Sequence, residues 1–400
     1  MQSRPILILV LAGGLISLLA IGARAAFGLF LEPVSSEFGW GREVFALALA
    51  IQNIVWGLSQ PFASAIADKY GSGRTLLVSG LVYASGLFLM SQTGSATELH
   101  LTAGLMIGMG LSGTGFGVVI GSVGRAVPEE KRSMALGIVG AAGSLGQFLM
   151  VPLGQAFIGN YGWSMALILL GVCVLLMIPA AAFVTGKASD SATAGAASLS
   201  AAIREAAGNG SYWLLFFGFF VCGFHVTFVA VHLPAYIVDM NVAPEYGAIA
   251  LSVVGLFNVV GSLASGYLGG KYSKKYLLST LYFLRAALFV AFILIPISPV
   301  TILVFAGVLG LLWLSTVPLT SGLVAVMFGP KYMTTLFGFV FFGHQIGAFL
   351  GAYIGGLAFD LYGSYDIVWW MSVALGIISG LLHWPIRENM PVQRAQAAGG

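Results

Sequence analysis

Charge is scarce in this sequence of 400 residues: Asp, Glu, Lys and Arg together make up 8% of it, against about 25% in a soluble domain. So few charges cannot cover a water-facing surface. A soluble enzyme, a nucleic-acid binder and a disordered chain are thereby excluded. Cysteine is scarcer still. Cys173 and Cys222 are the only two, and both lie in apolar runs, so neither a disulfide framework nor a metal site is expected. The 55 glycines follow no G-X-Y period, which removes collagen. The G-x-G patterns have no strand before them and no Lys-Ser/Thr after them, so they are not phosphate loops. No catalytic triad appears, ATP-driven transport has no support, and no cofactor is expected.

Long apolar runs are what the sequence does have. Hydrophobic residues make up 58% of it, and the mean hydropathy is +0.97. About 20 apolar residues cross a bilayer as a helix. The runs at 5–31, 43–67, 74–93, 99–124, 133–158, 162–185, 212–238, 246–269, 276–296, 300–327, 333–359 and 364–386 predict an all-α membrane protein with twelve transmembrane helices. Each run is over twice as long as a barrel strand. The first is too long for a signal peptide and contains Arg24.

Lys and Arg set the orientation. With the N-terminus inside, 14 of the 17 fall in cytoplasmic segments, Arg42 alone falls outside, and Arg24 and Arg285 lie within spans. Both termini are therefore expected in the cytoplasm. Residues 186–211, rich in Ala, Ser and Gly, read as a cytoplasmic linker. They separate a six-helix half at 1–185 from another at 212–390, with a tail at 391–400. Within the linker, 199–207 reads either as a short surface helix or as part of a tether.

The halves repeat. An offset of 201 pairs Gly22, Arg24, Phe27 and Pro33 with Gly223, His225, Phe228 and Pro234, and Gly137, Gly146 and Gly154 with Gly338, Gly347 and Gly355. Two parallel six-helix repeats place a substrate site between them near the midplane. The loop Ala67, Asp68, Lys69, Tyr70, Gly71, Ser72, Gly73, Arg74 after the second span resembles the cytoplasmic motif of the major facilitator superfamily. The resemblance runs the length of the chain. It implies two pseudo-symmetric halves, and it implies that Asp68 with Arg74 locks the outward-facing state near helix eleven. Within that superfamily, Gly28 to Pro33 with Phe38, Gly39 and Trp40, and the stretch Phe228–Tyr236, resemble the monocarboxylate transporter and oxalate/formate antiporter branch. Helix eight departs from the branch. Asn258 and Ser262 stand where it tends to carry an acid and an Arg, so its proton-coupling scheme does not transfer directly.

Ionisable groups inside a span are costly and therefore informative. All 14 carboxylates fall at or beyond helix ends; the interior holds Arg24, Arg285, His225 and His344. A buried cation without a resident carboxylate needs an anion, and an Arg fork suits a planar carboxylate. A proton-driven exporter of cations would need a buried acid. Arg24 sits mid-span on helix one, which lines the cavity in the facilitator fold, though it could instead pack on carbonyls or Asn. Arg285 sits on helix nine, where a structural role is favoured. His225 is the repeat mate of Arg24 and can titrate near neutrality, with a packing role as its alternative. His344 and Gln345 on helix eleven either join the site or bridge helices. Asn53, Thr114, Asn258 and Thr316 are further polar candidates, each also explicable as interhelical glue. His232 reads as an outer gate residue, Pro152 and Pro318 as kinks, and Trp369 and Trp370 as interfacial anchors.

The expected protein is a secondary transporter in the plasma membrane, the inner membrane of a bacterium, working as a monomer. The leading substrate is a small organic anion, a monocarboxylate first, moved by alternating access with proton symport. The rivals are a carboxylate exchanger of the oxalate/formate kind, a drug or metabolite exporter, and a membrane sensor.

Overall fold

The computed structural model describes residues 6–184, 196–329 and 333–388. Among them, eleven helices are long and apolar enough to cross a membrane. One of these, Met134–Ala181, has 48 residues, about 70 Å of helix, more than twice the ~30 Å hydrocarbon core. Its backbone leaves the helical region at Gly162, where φ is 78°. It therefore supplies two crossings, α5 (134–161) and α6 (163–181). The others are α1 (Ile6–Phe38), α2 (Arg42–Tyr70), α3 (Ser72–Met90), α4 (Ala96–Ala126), α7 (Gly210–Asp239), α8 (Glu245–Lys271), α9 (Lys274–Leu294), α10 (Pro299–Phe328), α11 (Met333–Tyr362) and α12 (Asp366–His383). The twelve predicted crossings are present.

Local chemistry sets where the helices stop and bend. The apolar run of α1 continues through a tight turn at Phe27–Phe30 into Leu31–Phe38. It ends at left-handed Gly39, φ 64°, whose N–H reaches the carbonyls of Ser35 and Ser36; glycine occupies that region without strain. α10 starts in a capping box between Ser298 and Thr301. It breaks at Trp313–Ser315, just before Pro318, which cannot donate to the carbonyl four residues back. Pro152 lies within α5 without breaking the helix, and the non-helical turn at Gly162 separates α5 from α6. Trp369 is 2% exposed and packs on Phe228, Tyr236, Phe292 and Phe305. It is a core residue rather than an interfacial anchor. Of the predicted linker, Ala196–Ala207 is a helix, while 186–195 and the predicted tail lie outside the described residues.

Repeat-related glycines make equivalent contacts in the two halves. A Cβ on Gly22 of α1 would stand 2.6 Å from the Gly146 carbonyl of α5, and one on Gly146 2.1 Å from that of Leu18. In the second half, a Cβ on Gly223 of α7 would stand 1.8 Å from the His344 carbonyl of α11, and one on Gly347 1.9 Å from that of Phe220. Bare backbone is what lets these pairs pack so closely.

The halves meet along two seams, α2 with α11 and α5 with α8, and also where α1 touches α7 at Phe27–Phe30: a Cβ on Gly28 would stand 2.0 Å from the Ala230 carbonyl. The first runs from Gly41 against Asp360, through Gly356 against Ala46, to Gly57 against Gln345 and Phe342. The second carries bonds from Gln147 Nε2 to the Leu251 carbonyl (2.8 Å), from Ser252 Oγ to that of Phe148 (2.7 Å) and from Asn258 Nδ2 to Ser144 Oγ (2.8 Å). Further toward the Lys- and Arg-rich end, a Cβ on Gly137, Gly140, Gly266 or Gly338 would meet nothing within 4 Å. The halves are thus joined at the Arg42 end and to mid-depth, and part toward the basic end.

Candidate functional site

The nine predicted binding residues form two groups, with two left over. Arg24, Asn53, His344 and Gln345 come together at the α2–α11 seam. Arg24 is half-buried, and its Nη2 donates to Asn53 Oδ1 at 2.6 Å. Its guanidinium lies 5.0 Å from the Trp56 ring centroid. Its Nε is buried without a hydrogen-bond partner, and no carboxylate pairs with it among the described residues. Asn53 Nδ2 is spent on the Leu49 carbonyl of its own helix (2.8 Å). From the other half, Gln345 Nε2 donates to the Asn53 carbonyl (3.0 Å). His344 Nδ1 donates to Gln345 Oε1 (3.1 Å), since an amide oxygen only accepts. The His344 ring stacks on Phe341 with 10° between planes, and Phe341 meets Trp56 edge-on. A cation of the first half and an imidazole of the second thus share one aromatic-walled seam.

The second group holds the break in α10. Arg285, 1% exposed, donates from Nε (3.1 Å) and Nη2 (2.5 Å) to the Leu312 carbonyl, and from Nη2 to that of Trp313. Its Nη1 reaches Cys222 Sγ at 3.5 Å, and that thiol lies 3.3 Å from Thr316 Oγ1. Asn258 Oδ1 accepts the Leu314 N–H (2.9 Å). The broken turn exposes polar backbone inside the bundle, and these side chains satisfy it. Arg285, Asn258 and Thr316 are accordingly occupied by structure.

The last two, His225 and Thr114, lie in different halves. His225 Nε2 donates to the Ser372 carbonyl of α12 (2.9 Å), and its ring stands edge-on to Phe289 of α9. It lies inside the second half and does not face Arg24 across the seam. Thr114 is fully buried and returns its hydroxyl to the Gly110 carbonyl (2.8 Å). Asp68 and Arg74 sit at the basic end, where the halves part. Asp68 Oδ1 bridges to Arg125 Nη1 of α4 at 2.9 Å, while Arg74 is exposed on the first turn of α3.

Trp56 and Phe341 were absent from the predicted set. Helical spacing could have found them: Trp56 is three residues after Asn53, and Phe341 three before His344, each on the same helix face. His232 sits at the Arg42 end. Its Nε2 donates to the Ala352 carbonyl (2.7 Å), leaving Nδ1 to accept from the Tyr365 hydroxyl (3.3 Å). Burial pushes the Tyr365 phenol up, so it keeps the proton it donates.

Two repeated six-helix halves, joined at one end, parted at the other and enclosing a polar seam, form the architecture of an alternating-access carrier. Residues 13–351 match the Major Facilitator Superfamily. The chain belongs to that superfamily and is a membrane transporter rather than an enzyme. It is 26% identical over 365 residues to the MFS-type transporter YcxA of Bacillus subtilis (strain 168), covering 86% of each chain. It is 26% identical over 367 residues to Monocarboxylate transporter 13 of Rattus norvegicus, covering 87% of this chain and 81% of that one. Its fold is similar to that of the nucleoside transporter NupG, at TM-score 0.80, 12% identity and 94% and 99% coverage. It is also similar to a D-xylose–proton symporter, at TM-score 0.74, 12% identity and 96% and 98% coverage.

Proposed function

We propose that this chain carries a small organic anion, a monocarboxylate first, across a bacterial inner membrane in symport with protons, as a monomer. The observation that carries the reading is Arg24. It is a mid-span guanidinium at the seam whose bond to Asn53 uses a neutral oxygen and whose Nε has no partner. A substrate carboxylate taking the place of Asn53 Oδ1 would engage two N–H groups of one fork, each bond strengthened by charge. Similarity to monocarboxylate transporters supports the same substrate class. The 1–185 half rocks against the 212–390 half about the two seams. With no midplane carboxylate, the proton rides on the substrate or on a histidine. His344 is the better placed, because it lies at the seam and His225 does not.

The skew of Lys and Arg supports cytoplasmic termini, with the Arg42 end outside. Cysteines placed at Ala243 and at Ser200 read this out: an impermeant maleimide added outside labels the first and spares the second, and the reverse overturns the orientation. The function is tested by a substrate panel in proteoliposomes, with and without an imposed pH gradient. Gradient-driven uptake of monocarboxylates is expected. Strict dependence on internal anion would mean exchange instead, and uptake of cations without carboxylates would overturn the reading.

A further inference from the structure

At the Arg42 end the geometry points to a latch of two carboxylates: Asp239 and Asp360 of the second half grip the first turn of α2 in the first half, and their release sets how often the bundle opens at that end. Arg42 Nη1 and Nη2 lie 2.6 and 2.7 Å from the two oxygens of Asp239, the last residue of α7. This bidentate fork is the most specific form of the pair. Nη1 also donates to the Tyr365 hydroxyl (2.9 Å), and the guanidinium lies 3.7 Å from the Phe359 ring centroid. Tyr365 in turn holds His232, which ties the latch to α7 and α11.

Asp360 grips backbone rather than side chain. Its Oδ1 accepts the Arg42 N–H (2.8 Å), and its Oδ2 accepts the Glu43 N–H (2.7 Å). These are the first two amides of α2, groups left unsatisfied by helix geometry and normally met by the residue just before the helix. Here that residue is Gly41, which has no side chain to offer. A Cβ on Gly41 would stand 2.5 Å from Asp360 Oδ2. The capping position of a first-half helix is therefore filled by a carboxylate of the second half, where the positive end of the helix favours it. When the halves part at this end, α2 loses its cap and Arg42 its anion together.

Neither link is strong. The Arg42 and Asp239 side chains are 12% and 25% exposed, and pairs in water contribute modestly. A gate needs that weakness, since each transport cycle must break it. The inference holds whichever substrate the carrier takes, so its failure and that of the anion reading are separable.

The test is pulsed dipolar spectroscopy on the full chain in nanodiscs, with Cys173 and Cys222 replaced by Ser and nitroxides at Asn160 and Ala243. Both are exposed residues at the Arg42 end, one in each half. Asp360→Asn, which keeps one acceptor oxygen for two amides and loses the charge at the helix end, and Asp239→Asn, which loses the charged fork, should each raise the long-distance population about five-fold, the size of a weakened helix-end contact or a partly exposed ion pair. Gly41→Ala, which removes no charge, should move it the same way by displacing Asp360. Asp366→Asn, at the start of α12 within one half, should leave it unchanged. Distances that stay at the wild-type values in Asp360→Asn and Gly41→Ala overturn the latch, as does an equal response in Asp366→Asn.

Discussion

Replacing Asn53 by Asp changes one atom of the candidate site and probes its charge directly. The amide oxygen that Arg24 Nη2 touches at 2.6 Å becomes a carboxylate oxygen, a resident anion where the substrate's is proposed to bind. Two effects then oppose the substrate. It must displace a charge-assisted bond instead of a neutral one, a difference of about 1–2 kcal/mol. It also loses the attraction of an uncompensated cation, about 4 kcal/mol for unit charges 4 Å apart at an effective dielectric constant of 20. Both figures count the loss of the same bare cation, so they bound the effect rather than add: affinity for a monocarboxylate should fall between about ten-fold and a thousand-fold by titration calorimetry in nanodiscs. The variant also gives up the Nδ2 bond to the Leu49 carbonyl, a loss of about 1 kcal/mol of stability, which leaves a folded protein to measure. A folded Asn53→Asp variant that binds monocarboxylate like the wild type at neutral pH would refute the reasoning.

Arg285→Met should lower thermal stability by about 2–4 kcal/mol, because the Leu312 and Trp313 carbonyls lose a charged donor inside the bundle. In the protein that folds, KM should be nearly unchanged; a large rise in KM without loss of Tm would place Arg285 in the binding site. His344→Gln should reduce uptake driven by a pH gradient more than substrate counterflow, whereas His225→Gln should leave the ratio of the two unchanged. If His225→Gln alone uncouples them, the proton travels through the α7–α12 core.

Hydropathy is a property of whole segments, so the twelve crossings could be read before any helix was placed. The overlong helix was legible for the same reason: glycine at 162 between two apolar runs marks a turn that secondary structure alone merges. The absence of midplane carboxylates was a matter of position along the spans and was equally visible. Which side chains share a site depends on helix rotation and on breaks, and sequence offers less there. The offset of 201 gave His225 the depth of Arg24 but not its environment. The guanidinium reaches the neighbouring α2, while the shorter imidazole stays against α9 and α12. Arg285 drew attention as a buried cation, yet its role follows from carbonyls freed at Trp313–Ser315. That break was anticipated only through Pro318. In the sequence Arg42 is distinguished only as the basic residue outside the cytoplasmic segments, and its partners, 197 and 318 residues away, come together only in the folded bundle.

The central claim is that Arg24 holds the anion. Its most direct test is equilibrium binding of a small monocarboxylate to purified wild type, Arg24→Lys and Arg24→Ala, each shown to be folded by its melting profile. Lysine keeps the charge and loses the fork, so Arg24→Lys should bind about 10- to 100-fold more weakly, the size of one lost charge-assisted bond, and Arg24→Ala should show no saturable binding. A folded Arg24→Ala protein with wild-type affinity would contradict the account and move the anion elsewhere in the bundle.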